Sequence, residues 1–305
     1  MNRQPVSPAI QARVLIPFTV VTLIWGSTWL VIRDQIAVVP PSWSVAYRFL
    51  IAAVVMFGWA LIQKIPLRLG REGMAIALLI GILQFVLNFN FVYRAEAYVT
   101  SGLVAVVFAL LIVPNAVFAR IFLKQDISRR FLAGSAVAMT GVALLFAHEL
   151  ETASGGPRAV MLGIGITLLG VLSASTANVL QAVERVRRLP IISLMAWSML
   201  IGGLINVGIA LALDGPPVIE TRPAYIAGLL YLGVIGSAVT FSLYFGLIRV
   251  IGPARAAYTS VLIPVIAMAL STIFEGYRWS PLAGAGAALV IFGLVIALQA
   301  RRSRA

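Results

Sequence analysis

The groups in this sequence with chemistry to offer are amides, hydroxyls and one guanidinium set inside long apolar runs. Gly81, Gln84, Asn88 and Phe91 follow one another at helical steps, and Gly233, Ser237, Thr240 and Tyr244 do so again far down the chain. Steps of three and four put side chains on one face of a helix. Trp25, Thr28 and Trp29 share a face of the first apolar run, and Thr167, Ser175, Asn178 and Gln181 lie in the sixth. Thr100, Ser101 and Asn115 in the fourth run have counterparts in Tyr258, Thr259 and Ser260 of the ninth. Each of these two runs carries a proline, Pro114 or Pro264, which frees the carbonyl four residues earlier for a kink or a ligand contact. In hydrocarbon such faces have two uses: they bond one helix to the next, or they line a wet cavity for a polar solute. Helix-to-helix bonding is the stronger reading for Ser and Thr. The amides of Gln84, Asn88 and Asn178 are harder to satisfy there and favour a cavity.

Charged groups inside the runs are scarce. Arg48 is the one charge well within a run, with two readings: an ion pair with Asp34 or Glu96, or a carboxylate-binding group. Glu96 sits at the corner between the third and fourth runs, as a gating acid or a solvated loop acid. His148 lies beside Glu149 and Glu151 and reads as exposed. With no Cys and one His, disulfides, thiolate nucleophiles, Fe–S clusters and His-pair or Cys zinc sites are excluded. No metal site and no cofactor are expected, and no G-x-x-x-x-G-K-[ST] occurs, so the chain has no ATPase of its own.

The elements that must position these groups follow from composition. The 305 residues are 61% hydrophobic and 11% charged, with a mean hydropathy of +1.02. A soluble domain is about 25% charged, so the surplus apolar surface must face lipid. Soluble enzymes and disordered tails are excluded together. A bilayer core of about 30 Å needs about 20 helical residues. Runs of that order fall at 14–32, 42–62, 73–93, 98–119, 131–147, 159–181, 191–213, 224–247, 254–274 and 281–299. The breaks carry Pro40-Pro41, Ser154-Gly155-Gly156-Pro157, Pro190, Gly215-Pro216-Pro217 and Ser280-Pro281. The first run is long and lacks a small-residue cleavage site, so it reads as a retained helix. The expected fold is an all-α polytopic membrane protein with ten transmembrane helices.

Charge orients it. With the N-terminus in the cytoplasm, the cytoplasmic segments hold 17 of the basic residues and the outer segments hold 5. That asymmetry is the positive-inside rule. It accounts for the formal charge of +13 without nucleic acid. Both termini are then cytoplasmic.

The runs repeat. Pro114 and Pro264 lie 150 residues apart, Ser128…Gly134…Gly141 returns at 152 as Ser280…Gly286…Gly293, and Tyr93 returns at 151 as Tyr244. Ser27-Thr28 matches Ser175-Thr176 at 148, and Tyr47 matches Trp197 at 150. The expected organisation is two five-helix halves, 1–150 and 151–305, the second inverted because five is odd. Inverted repeats place a substrate site at the midplane between them. Runs 1, 3, 4, 6, 8 and 9 are the expected cavity walls, and runs 5 and 10 are peripheral.

Trp25-Gly26-Ser27-Thr28-Trp29, followed by Tyr47-Arg48-Phe49, resembles the drug/metabolite transporter superfamily, in particular its EamA-type members. The resemblance continues through Tyr93 to Ala105, Pro114, Gly252-Pro253-Ala254, Pro264 and Phe274-Glu275. It departs where the first half has Lys124-Gln125-Asp126 and the second keeps Glu275. Among the members, the chain is similar to the YddG-type exporters of aromatic amino acids. The resemblance implies two inverted EamA repeats and multi-pass insertion in a bacterial inner membrane. It also implies export of small metabolites, here apolar or aromatic amino acids, by alternating access. On it, Trp25, Trp29, Tyr244 and Tyr258 would pack the substrate's side chain, and Gln84, Asn88, Ser175 and Asn178 would bind its zwitterionic end. Thr28 and Ser237 complete the expected lining, and Arg48, Glu96, Pro114 and Pro264 are expected to shape or gate it. With no acid in mid-span, transport is expected to run downhill as a facilitator. The same fold carrying a nucleobase or drug-like solute, and a non-transporting scaffold or intramembrane enzyme, remain alternatives; the oligomeric state is open.

Reporters fused after Arg68, Arg130, Arg188 and Arg304 should report the cytoplasm, and those after Pro40, Ser154 and Asp214 the outside. An outside signal after Arg188 alone breaks the five-plus-five scheme.

Overall fold

The computed structural model describes residues 8–124, 127–152, 156–251, 256 and 259–299, and they form helices with no strand among them. In hydrocarbon, helices are the open-ended way to satisfy every backbone N–H and C=O internally. The long helices are α1 Pro8–Gln35, α2 Pro41–Ile62, α3 Gly70–Ala95, α4 Ser101–Leu123 and α5 Arg129–Thr152. They continue with α6 Gly156–Gln181, α7 Ile191–Leu213, α8 Pro223–Val250, α9 Thr259–Phe274 and α10 Pro281–Gln299. Prolines open α2, α8 and α10, where the missing N–H is one the first turn leaves unbonded anyway. Lys124, left-handed at φ 54°, ends α4. Among the described residues, seven helices are long and apolar enough to span a membrane. Ten were expected; α5, α9 and α10 are present as helices but fall outside that set. The described part of α9 has 16 residues, and the apolar stretch of α10 is the shorter Pro281–Gly293.

Most of the main helix packing follows one rule: add five to each helix number. Helices α1 and α9 pack together, as do α6 and α4; α2 packs on α8, as α7 does on α3; α1 meets α8, as α6 meets α3. The pairs α2–α7, α4–α9 and α5–α10 map onto themselves. The loop contacts obey the same relation. Trp43 Nε1 and Tyr47 Oη of α2 donate to the carbonyls of Gly215 and Val218 beyond α7. In return, Ser193 Oγ and Trp197 Nε1 of α7 donate to Pro66 and Leu67 beyond α2.

Small residues set the closest contacts. A Cβ on Gly81 of α3 would lie 2.9 Å from the Ser198 carbonyl of α7, and one on Gly233 of α8 3.2 Å from the Arg48 carbonyl of α2. Between α5 and α10 the backbones nearly touch. A Cβ on Gly141 would meet the Gly286 carbonyl at 2.5 Å, and one on Gly293 would run into the Ala138 nitrogen. The glycines that repeat at 152 residues are thus the interface of one helix pair, a close approach between helices that small residues permit in lipid.

Helices α3 and α8 share a feature that periodicity did not reveal. Each contains a π-helical stretch, Gly81–Asn88 and Tyr231–Val239. Such stretches displace carbonyls from the α ladder and frequently mark functional sites. Neighbours bond them here. The Leu83 carbonyl accepts from Ser173 Oγ of α6 at 2.7 Å, and the Phe85 carbonyl from Asn206 Nδ2 of α7 at 2.9 Å. The Gly236 carbonyl accepts from Trp25 Nε1 of α1 at 3.2 Å.

Replacing Gly141 or Gly286 by Val should destabilise the protein by about 1–3 kcal/mol or more through overpacking, read as a lower unfolding midpoint in detergent. Thr140 is exposed on α5 and bonds only its own helix, to the Ala136 carbonyl. Thr140→Val should leave the midpoint unchanged.

Candidate functional site

The polar faces of α1, α3 and α6 converge with α4, α8 and α9 on one central cavity. Its wall carries Trp25, Thr28, Trp29, Arg48, Gln84, Asn88, Asn178 and Tyr244 from the sequence reading. The centres of water-sized spheres have about 90 Å³ inside it. A single water needs roughly 10–15 Å³ by this measure, so the void admits several waters or a small solute. Thr259 and Ser260 of the ninth run's polar group reach it as well, and the wall also takes Phe89, Phe108 and Phe241, which sequence reasoning did not single out.

Local geometry explains both the hits and the misses. In the widened turns of the π stretch of α3, Gln84 and Asn88 reach the cavity together with Phe89 and Val92. A strict α-helical stripe through Gly81, Gln84, Asn88 and Phe91 skips Phe89. Gly81 faces α7 instead. In α4, Pro114 offers no N–H to the Leu110 carbonyl, and the chain tightens into a 3₁₀ turn at Ala109–Leu111. Ala109 and Leu111 of that turn touch the cavity, while Pro114 itself does not. Pro264 lies within α9 and faces a second, apolar cavity against α10.

Two expected lining residues sit elsewhere. Ser175 is fully buried away from the void, and its Oγ has no partner among the described residues. Ser237 stands behind the wall, where it accepts a hydrogen bond from Arg48 Nε at 2.9 Å. Tyr258 lies outside the described residues. Thr28 reaches the wall, with its hydroxyl turned back to the Trp25 carbonyl at 2.9 Å.

Much of the wall is apolar and aromatic. Trp25 contacts Tyr244 and Phe241 with ring centroids 4.8 and 5.2 Å apart, and Trp29 contacts Phe108 at 5.6 Å. Polar atoms on the same wall are incompletely bonded. Gln84 Oε1, Asn88 Oδ1 and Trp29 Nε1 are buried and have no hydrogen-bond partner among the described residues. An unbonded buried polar atom costs about 1–3 kcal/mol, and three of those among the described residues belong to this one wall.

Arg48 is 1% exposed and forms neither of the expected ion pairs. Asp34 is held by Arg222 through two bonds of 3.0 and 3.1 Å. Glu96 is wholly buried, not solvated, and neither carboxyl oxygen has a hydrogen-bond partner among the described residues. Its main-chain carbonyl accepts from Arg33. Close by, Ser101 donates to Glu275. These contacts tie together loops that the charge split assigns to the outer side.

A family model described as the EamA-like transporter family matches residues 14–147 and again 161–299. The protein PagO of Salmonella typhimurium is 26% identical over 93% of this chain and 92% of its own length. A probable amino-acid metabolite efflux pump of the same organism is 26% identical over 90% of this chain and 91% of its own. The inner membrane transporter YedA of Escherichia coli is 30% identical, covering 90% and 87%. A solved crystal structure with 20% sequence identity superposes over 96% of this chain and 98% of its own at a TM-score of 0.70, which shows a shared fold.

Glu96, in the turn outside both adjoining spans, gives a pH prediction. Burial pushes its carboxyl well above the usual carboxylate range, the Glu275 charge adds to this, and Arg33 and Arg48 oppose it. The fold therefore holds the proton more tightly than the unfolded chain does. Stability from this group is full below the unfolded pKa and fades as pH rises through the folded one. The unfolding midpoint in detergent should fall as pH rises above the usual carboxylate range. Glu96→Gln should flatten that fall.

Proposed function

The chain belongs to the EamA-like transporter family, and from that membership we propose that it exports amino acids with apolar or aromatic side chains across a bacterial inner membrane. It does so with ten spans, in two inverted halves at 1–150 and 151–305, with both termini in the cytoplasm. The exchange of packing partners on adding five to each helix number supports the inverted halves. The 17-to-5 split of basic residues supports the orientation. The halves rock about the central cavity and open it to each side in turn.

One observation carries the substrate assignment. The unbonded atoms of Gln84, Asn88 and Trp29 share a void with the ring cluster of Trp25, Phe241 and Tyr244. A solute with a compact polar end and an apolar body matches both at once. The efflux-pump relative, named for amino-acid metabolites, agrees in kind. No Asp, Glu or His is on the cavity wall among the described residues, which supports downhill transport without proton exchange at the substrate.

Counterflow of labelled phenylalanine into proteoliposomes tests the reading. The wild type should exchange it, and an imposed pH gradient should drive no uphill accumulation. Asn88→Leu and Asn178→Leu should each cut exchange by about tenfold or more, the scale of one hydrogen bond lost in a dry site, with the amount of folded protein unchanged. Full exchange in Asn88→Leu refutes the cavity assignment, and uphill accumulation refutes the facilitator.

A further inference from the structure

We propose that Arg48 anchors the carboxylate of the transported solute. This rests on the cavity reading above and sharpens it, from a polar end of unstated charge to an anionic group paired with a buried cation.

The guanidinium lies on the cavity wall, 1% exposed, and no carboxylate among the described residues pairs with it. A buried cation without a direct ion-pair partner is expensive in a protein interior and more so in a membrane. Its three partners are neutral: Ser237 Oγ at 2.9 Å, the Tyr93 hydroxyl at 3.3 Å and the Gly236 carbonyl at 3.4 Å. Arginine has five N–H donors in a rigid fork suited to a carboxylate, so donors remain for a ligand. The fork is also held in place. Its carbon sits 4.6 Å above the Phe89 ring, and its Nε bond fixes the direction of the terminal nitrogens.

Helix packing does not require this cation. Arg48 and Ser198 occupy equivalent places, each offering its carbonyl to a glycine of the helix it crosses, Gly233 for Arg48 and Gly81 for Ser198. Both side chains are buried, yet the second half uses serine. The charge therefore belongs to the cavity and not to the crossing. Around the same void, Trp29 Nε1 supplies a second unbonded donor, while Gln84 Oε1 and Asn88 Oδ1 supply acceptors for an ammonium. Donors for an anion and acceptors for a cation on one wall describe the polar end of an α-amino acid.

The test compares phenylalanine, phenylalaninamide (no carboxylate) and 3-phenylpropanoate (no ammonium) as competitors of labelled phenylalanine counterflow. A parallel measurement records the thermal shift each compound gives the purified protein. Wild type should prefer phenylalanine to its amide by roughly 30-fold or more, the range for truncating one partner of a buried charge pair. Arg48→Gln should lose that preference, and Arg48→Lys, which keeps the charge without the fork, should retain part of it. If Arg48→Gln does not fold, the wild-type preference and the lysine variant decide. Equal competition by phenylalanine and its amide in the wild type overturns the proposal, as does an unchanged preference in Arg48→Gln. If no amino acid is exchanged but 3-phenylpropanoate stabilises the wild type and not Arg48→Gln, the amino-acid reading fails and the anion anchor stands.

Discussion

Hydrocarbon offers no water, so each polar group buried in this bundle must find its partner inside the protein. That constraint organises the structure. The displaced carbonyls of the two π stretches accept from Ser173, Asn206 and Trp25 of neighbouring helices. Asn90 and Asn206 complete a small network at 2.6 Å behind the cavity. Where the rule is obeyed the helices are locked together. Among the groups left unmet, Gln84, Asn88 and Trp29 share one void with the charge of Arg48, while others, such as both oxygens of Glu96 and the Ser175 hydroxyl, lie away from it.

Symmetry and its breach divide the labour. Paired glycines, paired π stretches and reciprocal loop contacts build a frame in which each half mirrors the other's contacts. Such reciprocal contacts are what the proposed rocking of two halves would need. The cavity lining is not symmetric. Arg48 answers Ser198, and the amides of Gln84 and Asn88 in α3 answer hydroxyl and aromatic groups in α8. Scaffold positions keep the repeat, and positions around the cavity depart from it.

Much of this was legible in the sequence because a membrane makes few demands and makes them loudly. Run length, prolines at the breaks and the basic asymmetry are properties of single segments, and each long helix lies where a run predicts one. The amides at 84, 88 and 178 were readable as cavity groups because an amide is hard to satisfy in lipid. Three things were hidden. The π stretch of α3 shifts which residues share a face, so Phe89 escaped a strict α-helical count, whereas Phe241, at helical steps from Ser237 and Tyr244, was passed over because polar groups were followed. Serine says little about its direction, and Ser175 and Ser237 turned out to stand off the wall. The partners of Arg48 and the depth of Glu96 depend on which helices meet, and local pattern does not encode that.

The absence of cysteine from the chain permits a direct test of whether the central void is the solute's path. Ala105 and Ala174 line it, whereas Ser193 is buried at a loop contact outside its lining. In otherwise wild-type protein, Ala105→Cys and Ala174→Cys should react with a small charged thiol reagent, and saturating phenylalanine should slow that reaction several-fold, while Ser193→Cys shows no protection. Inert thiols at 105 and 174, or labelling that phenylalanine leaves unchanged, would contradict the account.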